Sequence, residues 1–309
     1  MRPSRKGVEY GPVKRHSVFV AVCLVTVVSV LALAGCDPDA RGGSGPTSQM
    51  TIQNKGSDTI VNLALAWAER YQTVRPEVSI AVTGGGSGTG IASIVNGTVD
   101  IANASRAIKS EEIEAAHGGG IEPIEFVIAR DAIAIIVHPS NPVDTLTLQQ
   151  LSDVYSGKAV NWQDVGGEDR PIVALSRETN SGTHVYFLEA VVRLGNSEDK
   201  TLFSPDVLLL PSSEGIGAEV RQNPNAIGYD GLGYVTDDMK TVAVGLAAEG
   251  PFWKPSASTV NAGEYPISRD LYMYTAGEPT GTIKDYLEWI LQPEAQRIVL
   301  DLGFVPITE

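Results

Sequence analysis

The sequence predicts an α/β fold of two lobes, each a mostly parallel sheet flanked by helices. Short β-branched runs alternate with segments of helical periodicity throughout the chain after residue 50, a pattern typical of parallel sheets covered by helices. The alternation passes through two cycles of similar size. A late strand and two helices are expected to return the chain to the first lobe, which would create two crossovers and a hinge. A single large sheet is the alternative.

The first cycle predicts lobe 1, which comprises residues 50–131 together with 268–309. Its longest helix is indicated by Leu63, Trp67 and Tyr71, which recur at helical spacing. The elements predicted before residue 132 are a strand at 51–53, a helix at 59–74, a strand at 78–82, a helix at 90–96, a strand at 99–102 and a helix at 110–116.

The second cycle predicts lobe 2, residues 132–267. It opens with AIAIIV at 132–137, a run that is apolar on both faces, as a central buried strand should be. The strands predicted in lobe 2 are at 132–137, 172–175, 207–210 and 226–230, and its helices are at 148–155, 182–194 and 213–221. The strand predicted at 271–274 and the helices at 280–291 and 293–302 belong to lobe 1.

The first 35 residues predict a signal peptide, because a basic start precedes a long apolar run and a small-residue ending. Cys36 follows Leu-Ala-Gly, which resembles the lipobox of bacterial lipoproteins and makes Cys36 the expected site of lipidation. Residues 36–49 are rich in Gly, Ser and Pro and predict a flexible linker. The rest of the chain is therefore expected outside the cytoplasm, lipid-anchored to the cell membrane. An uncleaved membrane anchor is the alternative.

Charge and residue usage exclude several classes of protein. The first 35 residues carry five basic and one acidic side chain, so the remainder has a formal net charge of −18, against −14 for the whole chain. Such a surface repels nucleic acid. The only cysteines are Cys23 and Cys36, and the histidines after the signal lack metal-ligand spacing. No metal, cofactor or nucleic-acid partner is expected.

The glycine-rich segment VTGGGSGTGIASI at 82–94 is typical of anion-binding loops. Ile91 and Ala92 stand where a nucleotide phosphate loop needs Lys and Ser or Thr, and Thr89 replaces the last glycine of the dinucleotide pattern. Nucleotide binding is therefore not expected. Backbone N–H groups and the hydroxyl of Ser87 remain as donors to a smaller oxyanion, with ordinary helix capping as the alternative.

The pattern Ser-x-Thr occurs three times before an apolar helical run, beginning at Ser57, Ser87 and Ser181. Ser105 follows a predicted strand in a similar place. Loops at the carboxyl ends of strands converge on one crevice in open α/β sheets. Three hydroxyl-rich helix starts, including Gly182 and Thr183, would therefore surround one small oxyanion with neutral donors.

Two arginines lie beside these serines. Arg177 precedes Ser181 by four residues and Arg106 directly follows Ser105. A guanidinium group suits a tetrahedral oxyanion because it donates two parallel, charge-assisted hydrogen bonds. A solvated surface position is the alternative for each. The three serines lack the surroundings of a nucleophile elbow, and the histidines are too few for a metal-dependent phosphatase, so the chain is not expected to be an enzyme.

Five motifs together resemble the phosphate-binding proteins of ABC phosphate import systems. They are NKGSDT at 54–59, TGGGSGTGI at 83–91, DIANASR at 100–106, RETNSGT at 177–183 and YPISRDLYMYT at 265–275. The resemblance covers nearly all of residues 50–309. It implies a type II periplasmic-binding-protein fold that closes on one dehydrated phosphate. The residues it implies as ligands are Ser57, the backbone at Asp58, Ser87, Arg177, Ser181, Gly182 and Thr183.

One position departs from the family pattern. Many members have Ser-Asp where this chain has Ser105-Arg106, and that aspartate accepts a proton from hydrogen phosphate. Arginine cannot accept a proton, which puts the rejection of sulfate in doubt. Asp58 is the candidate replacement, since it lies in a predicted binding loop. Its alternative role is as the N-cap of the first helix.

These observations predict a monomeric, membrane-tethered solute-binding lipoprotein. It would capture inorganic phosphate in the cleft between two lobes and deliver it to an ABC permease. A binder of sulfate, molybdate or tungstate is one alternative. A phosphate-sensing protein without a transport role is another.

Overall fold

The computed structural model describes residues 50–308. The predicted signal peptide, Cys36 and the linker up to residue 49 lie outside the described residues. Within residues 50–308, the helices are all too short or too polar to cross a membrane.

The first part of the described chain alternates strands and helices up to one long strand. Helix α1 is amphipathic, and its buried Leu63, Trp67 and Tyr71 recur at helical spacing. The elements are β1 (Met50–Gly56), α1 (Asp58–Val74), β2 (Val78–Thr83), α2 (Ser87–Val95), β3 (Ile101–Ala104), α3 (Ser110–Gly118) and β4 (Ile124–Val137).

The second part continues the alternation and ends in two helices. Helix α9 begins with a proline, which is suited to the first helical position because its missing N–H has no partner there. The elements are β5 (Thr145–Thr147), α4 (Leu148–Tyr155), β6 (Val173–Arg177), α5 (Gly182–Phe187), β7 (Leu208–Leu210), α6 (Ser213–Gln222), β8 (Ala226–Gly231), β9 (Lys240–Gly245), β10 (Phe252–Trp253), α7 (Ala257–Asn261), β11 (Ser268–Thr275), α8 (Gly281–Ile290) and α9 (Pro293–Asp301).

Strand β4 joins the two predicted halves of the sheet. Its first part, up to Ala132, pairs with β11, and its last part, from Ile133 onward, pairs with β8 and β9. The strand order is β2-β1-β3-β11-β4-β8-β6-β7. The change of partner falls between Ala132 and Ile133, one residue after the predicted lobe boundary, while the division into two lobes stays a prediction.

The sheet is mixed, and this differs in part from the predicted pattern. Strands β1, β2 and β3 are parallel, as are β6, β7 and β8. Strand β11 is antiparallel to both β3 and β4, and β4 is antiparallel to β8 and β9. The reason is that β4 and β11 carry the chain between the two groups in opposite directions. The parallel βαβ units that bring helix starts to one edge are preserved on each side.

The buried side chains form separate cores on the two sides of β4. One core packs α1 against the sheet and against α8 and α9, and the Trp67 indole N–H donates to the Ala295 carbonyl at 2.9 Å. Another core packs α4 and α5 against the opposite group of strands, around Trp162 and Phe187. The loops at the strand carboxyl ends between these cores carry the predicted site.

Candidate anion-binding site

The first loop joins β1 to α1. Ser57 is the N-cap residue and is 2% exposed, and its N–H donates to the Asn103 carbonyl at 2.9 Å. Asp58 lies in the first turn of α1 and is not the N-cap, so the capping role considered for it is wrong. Its Oδ1 instead accepts a hydrogen bond from the Gly85 N–H at 2.9 Å. Asp58 therefore ties the first loop to the glycine-rich loop.

The glycine-rich loop joins β2 to α2. Gly86 has φ +87°, and a β-carbon there would lie 2.8 Å from the Asn180 carbonyl oxygen, so only glycine fits without strain. Ser87 begins α2 and is completely buried. Its Oγ accepts from the Ser105 N–H at 3.0 Å and lies 3.2 Å from the Ser105 Oγ. Ser87 and Ser105 are thus neighbours, as the convergence of loops requires.

The third helix start comes from the other side of β4. Ser181 caps α5, and its Oγ accepts from the Thr183 N–H at 3.2 Å. Gly182 faces Ser87 and Ser105 so closely that a β-carbon on it would lie 2.3 Å and 2.6 Å from their Oγ atoms. The structure therefore brings all three Ser-x-Thr helix starts and Ser105 to one place.

Hydrogen bonds across the crevice hold the loops together. The Thr59 and Thr183 hydroxyl oxygens lie 2.9 Å apart. The Gly88 N–H donates to the Asn180 carbonyl at 3.1 Å, and the Asn180 side-chain amide donates to the Gly85 carbonyl at 3.0 Å. These contacts join loops whose sequence positions differ by more than 90 residues. We call this arrangement, with the loops of both sides in direct contact, the closed arrangement.

Arg177 ends β6 and is 1% exposed. Its Nη2 donates to Asp58 Oδ2 at 2.7 Å and its Nη1 donates to Ser213 Oγ at 2.8 Å. Its Nε–H is buried without an acceptor among residues 50–308. A buried donor of this kind is costly to leave unsatisfied, and an oxyanion supplies the acceptors that it needs.

Asp230 is linked to Arg177 through Ser213. Its Oδ1 accepts from Ser213 Oγ at 2.9 Å and from the Gly231 N–H at 2.8 Å. Burial raises the pKa of Asp230 to about 6, although the charge of Arg177 opposes the shift. The chain Asp230–Ser213–Arg177–Asp58 therefore fixes the guanidinium at the crevice from both sides.

The pH dependence of stability should report the burial of Asp230. Its carboxyl ionises near pH 3.9 in an unfolded chain but only near pH 6 in the folded state. Between these values the folded state holds more protons, so the contribution of Asp230 to stability falls as pH rises, by about 3 kcal/mol at most. Urea unfolding should show Asp230→Asn gaining stability relative to the parent protein from pH 4 to pH 7. A difference that does not vary with pH would contradict this.

The role of Arg106 as an oxyanion ligand beside Ser105 stays a prediction, and its guanidinium already has a protein partner. Its Nη1 and Nη2 donate to the two carboxylate oxygens of Glu112, at 2.8 and 2.6 Å. Burial alone would raise the pKa of Glu112, but the hydrogen bonds from Arg106 and from the Lys109 N–H outweigh it and lower the pKa. Both terminal nitrogens of Arg106 therefore stabilise the start of α3 through Glu112.

A third buried arginine, Arg269, was not predicted from the sequence. Arg269 on β11 pairs with Asp131 on β4, and Nη2 lies 3.0 Å from Oδ2. Burial raises the pKa of Asp131, against the opposing charge of Arg269. A signal was present, because Asp131 directly precedes the apolar run 132–137 and Arg269 lies within the strand-like YPISRDLYMYT. Asn180, which lies in the RETNSGT motif, and Ser213 also hold the crevice together, and of the two only Ser213 carries no comparable signal.

Comparison with known proteins identifies the class of protein to which this chain belongs. The model of the PBP superfamily domain matches residues 42–294, so the chain belongs to that superfamily. No group of three or more His, Cys, Asp or Glu side chains in the described part of the chain could hold a metal ion. The relatives reported next are named as binding proteins, so the role of this chain is binding rather than catalysis.

Named relatives and solved structures identify the family within this superfamily. The chain is 31% identical to the phosphate-binding protein PstS of Pseudomonas aeruginosa over 94% of this chain and 92% of that protein. It is 32% identical to PstS of Bacillus subtilis, over 87% and 84%. A structure described as a putative phosphate ABC transporter substrate-binding protein with bound phosphate, from Clostridium perfringens, superposes with a TM-score of 0.75 at 34% identity and covers 84% of this chain and 100% of that one. The chain belongs to the family of phosphate-binding substrate-binding proteins of ABC transporters.

Proposed function

We propose that this chain captures inorganic phosphate in the crevice between residues 50–131 plus 268–309 and residues 132–267, and delivers it to an ABC permease. The observation that carries the proposal is the convergence of three Ser-x-Thr helix starts, the first of which holds the buried guanidinium of Arg177 through Asp58. Neutral N–H and O–H donors with one or two cations suit a small tetrahedral oxyanion. The names of the relatives agree with this chemistry.

The proposed ligands come from both sides of the crevice. They are Ser57, Asp58, Ser87, Ser105, Arg106, Arg177, Ser181, Gly182 and Thr183, and Arg106 would bind with its Nε–H, which is buried without an acceptor among residues 50–308. The net charge of −18 that follows the signal is compatible with anion capture, because short-range donors in a closed site act at hydrogen-bond distance while long-range repulsion is screened within about 10 Å by salt.

Calorimetric titration of residues 37–309 with phosphate and with sulfate tests the proposal. We expect phosphate to bind at micromolar concentrations or below, and sulfate to bind more weakly. Absence of phosphate binding at micromolar levels would contradict the proposal, and preference for sulfate, molybdate or tungstate would support the alternative oxyanion. Unchanged phosphate uptake in cells that lack the gene would favour a sensing role over transport.

Selectivity for hydrogen phosphate is proposed to come from Asp58. Its carboxylate accepts two protein hydrogen bonds, from Gly85 and Arg177, and a carboxylate has about four acceptor sites. Capacity therefore remains for a proton of the ligand. Sulfate carries no proton, so it would face the carboxylate with like-charge repulsion and no compensating hydrogen bond.

The variant Asp58→Asn should therefore lose phosphate affinity and lose discrimination against sulfate, each by roughly tenfold or more. Calorimetric titration with both anions measures the two effects. Asp237→Asn is the matched control, because Asp237 is an exposed carboxylate. If Asp58→Asn bound both anions as the parent protein does, Asp58 would have no role in selection.

Membrane tethering through Cys36 forms part of the proposal. It is supported by the basic and apolar start of the chain and by Leu-Ala-Gly before Cys36. We expect Cys36→Ala to shift the protein from the membrane fraction to the soluble extracytoplasmic fraction. Immunoblots of fractionated cells would detect this shift, and retention in the membrane fraction would argue for an uncleaved anchor.

A further inference from the structure

The pair formed by Arg269 and Asp131 lies at the strands that join the two sides of the crevice. The two residues are cross-strand neighbours on β11 and β4. Their side chains are 3% and 0% exposed. Replacement of such a buried pair by apolar residues often leaves stability unchanged or raises it, so packing alone does not account for an ion pair at this place.

The Arg269 guanidinium contacts both sides of the crevice. Its Nη1 donates to the Ser105 carbonyl at 2.8 Å, on the first side. Its Nη2 donates to Thr183 Oγ1 at 2.9 Å, on the second side, and lies 3.4 Å from Thr59 Oγ1. Its Cζ also lies 5.5 Å from the centre of the Tyr186 ring on α5, within the range of a cation–π contact. These contacts require both sides to be in the closed arrangement.

The contacts of Arg269 also influence which hydroxyl group of Thr59 and Thr183 donates a hydrogen bond. Arginine only donates hydrogen bonds, so Thr183 Oγ1 accepts from Arg269. The Thr59 and Thr183 hydroxyls lie 2.9 Å apart and share one further hydrogen bond, in which one of them donates. One hydroxyl proton of the pair remains without an acceptor among the described residues. With a lone pair of Thr183 occupied by Arg269, the hydroxyl pair is biased to act as a donor to a ligand.

We infer that Arg269, held by Asp131, is a positioning residue for anion capture that fixes the Thr59–Thr183 pair as a donor and joins the Ser105 loop to α5 when the crevice closes. The inference rests on the proposed function, because it assigns Arg269 a role in holding phosphate. Arg269 acts through these neighbours and is not itself assigned as a ligand.

The double variant Arg269→Met/Asp131→Leu tests the inference without leaving a buried charge unpaired. We expect roughly 10- to 100-fold weaker phosphate binding, mainly through faster dissociation, because the contacts that are lost form only in the closed arrangement. Stopped-flow kinetics with phosphate would separate the association and dissociation rates, and the melting temperature would report the fold. Arg269→Lys keeps the charge but cannot span both sides, so it should restore only part of the affinity.

A double-mutant cycle with Thr183→Val distinguishes positioning from general support. In the Thr183→Val background the loss caused by Arg269→Met/Asp131→Leu should shrink, because its target hydroxyl is gone. Unchanged affinity and dissociation rate in the folded double variant, or losses that add fully in the cycle, would overturn the inference. If the double variant does not fold, Arg269→Lys with and without Thr183→Val gives the same comparison. A parent protein that does not bind phosphate would instead overturn the proposed function.

Discussion

Arg177→Ala should lower the affinity for phosphate by roughly 10²- to 10⁴-fold. The guanidinium is buried and fixed by Asp58 and Ser213. Charge-assisted hydrogen bonds contribute about 1.5–3 kcal/mol each, and about two of them to an oxyanion would be lost. The Asp58 carboxylate would also lose its cation and repel the ligand. Calorimetric titration with phosphate would measure the effect.

Two comparisons make this prediction specific. Arg177→Lys keeps the charge but not the planar arrangement of donors, and it should fall between Arg177→Ala and the parent protein. Arg297→Ala is the control, because the Arg297 side chain is 73% exposed and its ion pair within residues 50–308 is with Asp301 on its own helix. Circular dichroism and the melting temperature would establish that the variants fold. Parent-like affinity of folded Arg177→Ala would remove Arg177 from the site.

Gly182→Ala should weaken phosphate binding by roughly 10- to 100-fold while leaving stability unchanged or higher. The added methyl group would lie 2.3 Å from Ser87 Oγ and 2.6 Å from Ser105 Oγ. Overpacking of this kind costs about 1–3 kcal/mol, and the cost arises only when the loops meet. Gly182 begins α5, where alanine is a better helix former than glycine. Titration with phosphate and thermal unfolding would measure the two effects separately.

The matched control is Gly118→Ala, since a methyl group there would contact nothing within 4 Å. We also expect Ser87→Ala to relieve part of the clash, so that adding Gly182→Ala to Ser87→Ala costs less affinity than adding it to the parent protein. Equal losses in both backgrounds would show that Gly182 does not meet Ser87 when phosphate binds.

Much of the fold followed from local patterns. The amphipathic helix α1 and the helix α4 lie within one residue of their predicted bounds, because helical periodicity is a strong local signal. The strand predicted at 132–137 is only the end of β4, which begins at Ile124. Its earlier residues include Glu125 and Arg130, and these charges hid a strand that is exposed in places. The helix predicted at 182–194 changes to a π-helical turn at Leu188–Val192.

The candidate site was predictable where its residues are defined by their neighbours in sequence. The loops that contain Ser57, Ser87 and Ser181 lie together, because each follows a parallel strand and begins a helix. The contacts of Asn180 and Ser213 could not be found in this way, although Asn180 lies in the RETNSGT motif. They join these residues to Gly85 and Arg177, which are far away in the chain, and nothing in the local sequence of Ser213 distinguishes it from a turn residue.

Glycine conformation, capping and periodicity are local properties, so the α/β class, the helix starts and their hydroxyl donors could be predicted from the sequence. Which arginines face the crevice, and which groups hold them, depends on contacts between distant parts of the chain. Arg106 is adjacent to Ser105 in sequence, but its guanidinium pairs with Glu112. Arg269 is far from every serine of the site in sequence, yet its guanidinium donates to the Ser105 carbonyl. The reason is physical: a buried guanidinium takes its position from whichever carboxylates and carbonyls the fold brings within about 3 Å, and that set is fixed only when distant strands pair.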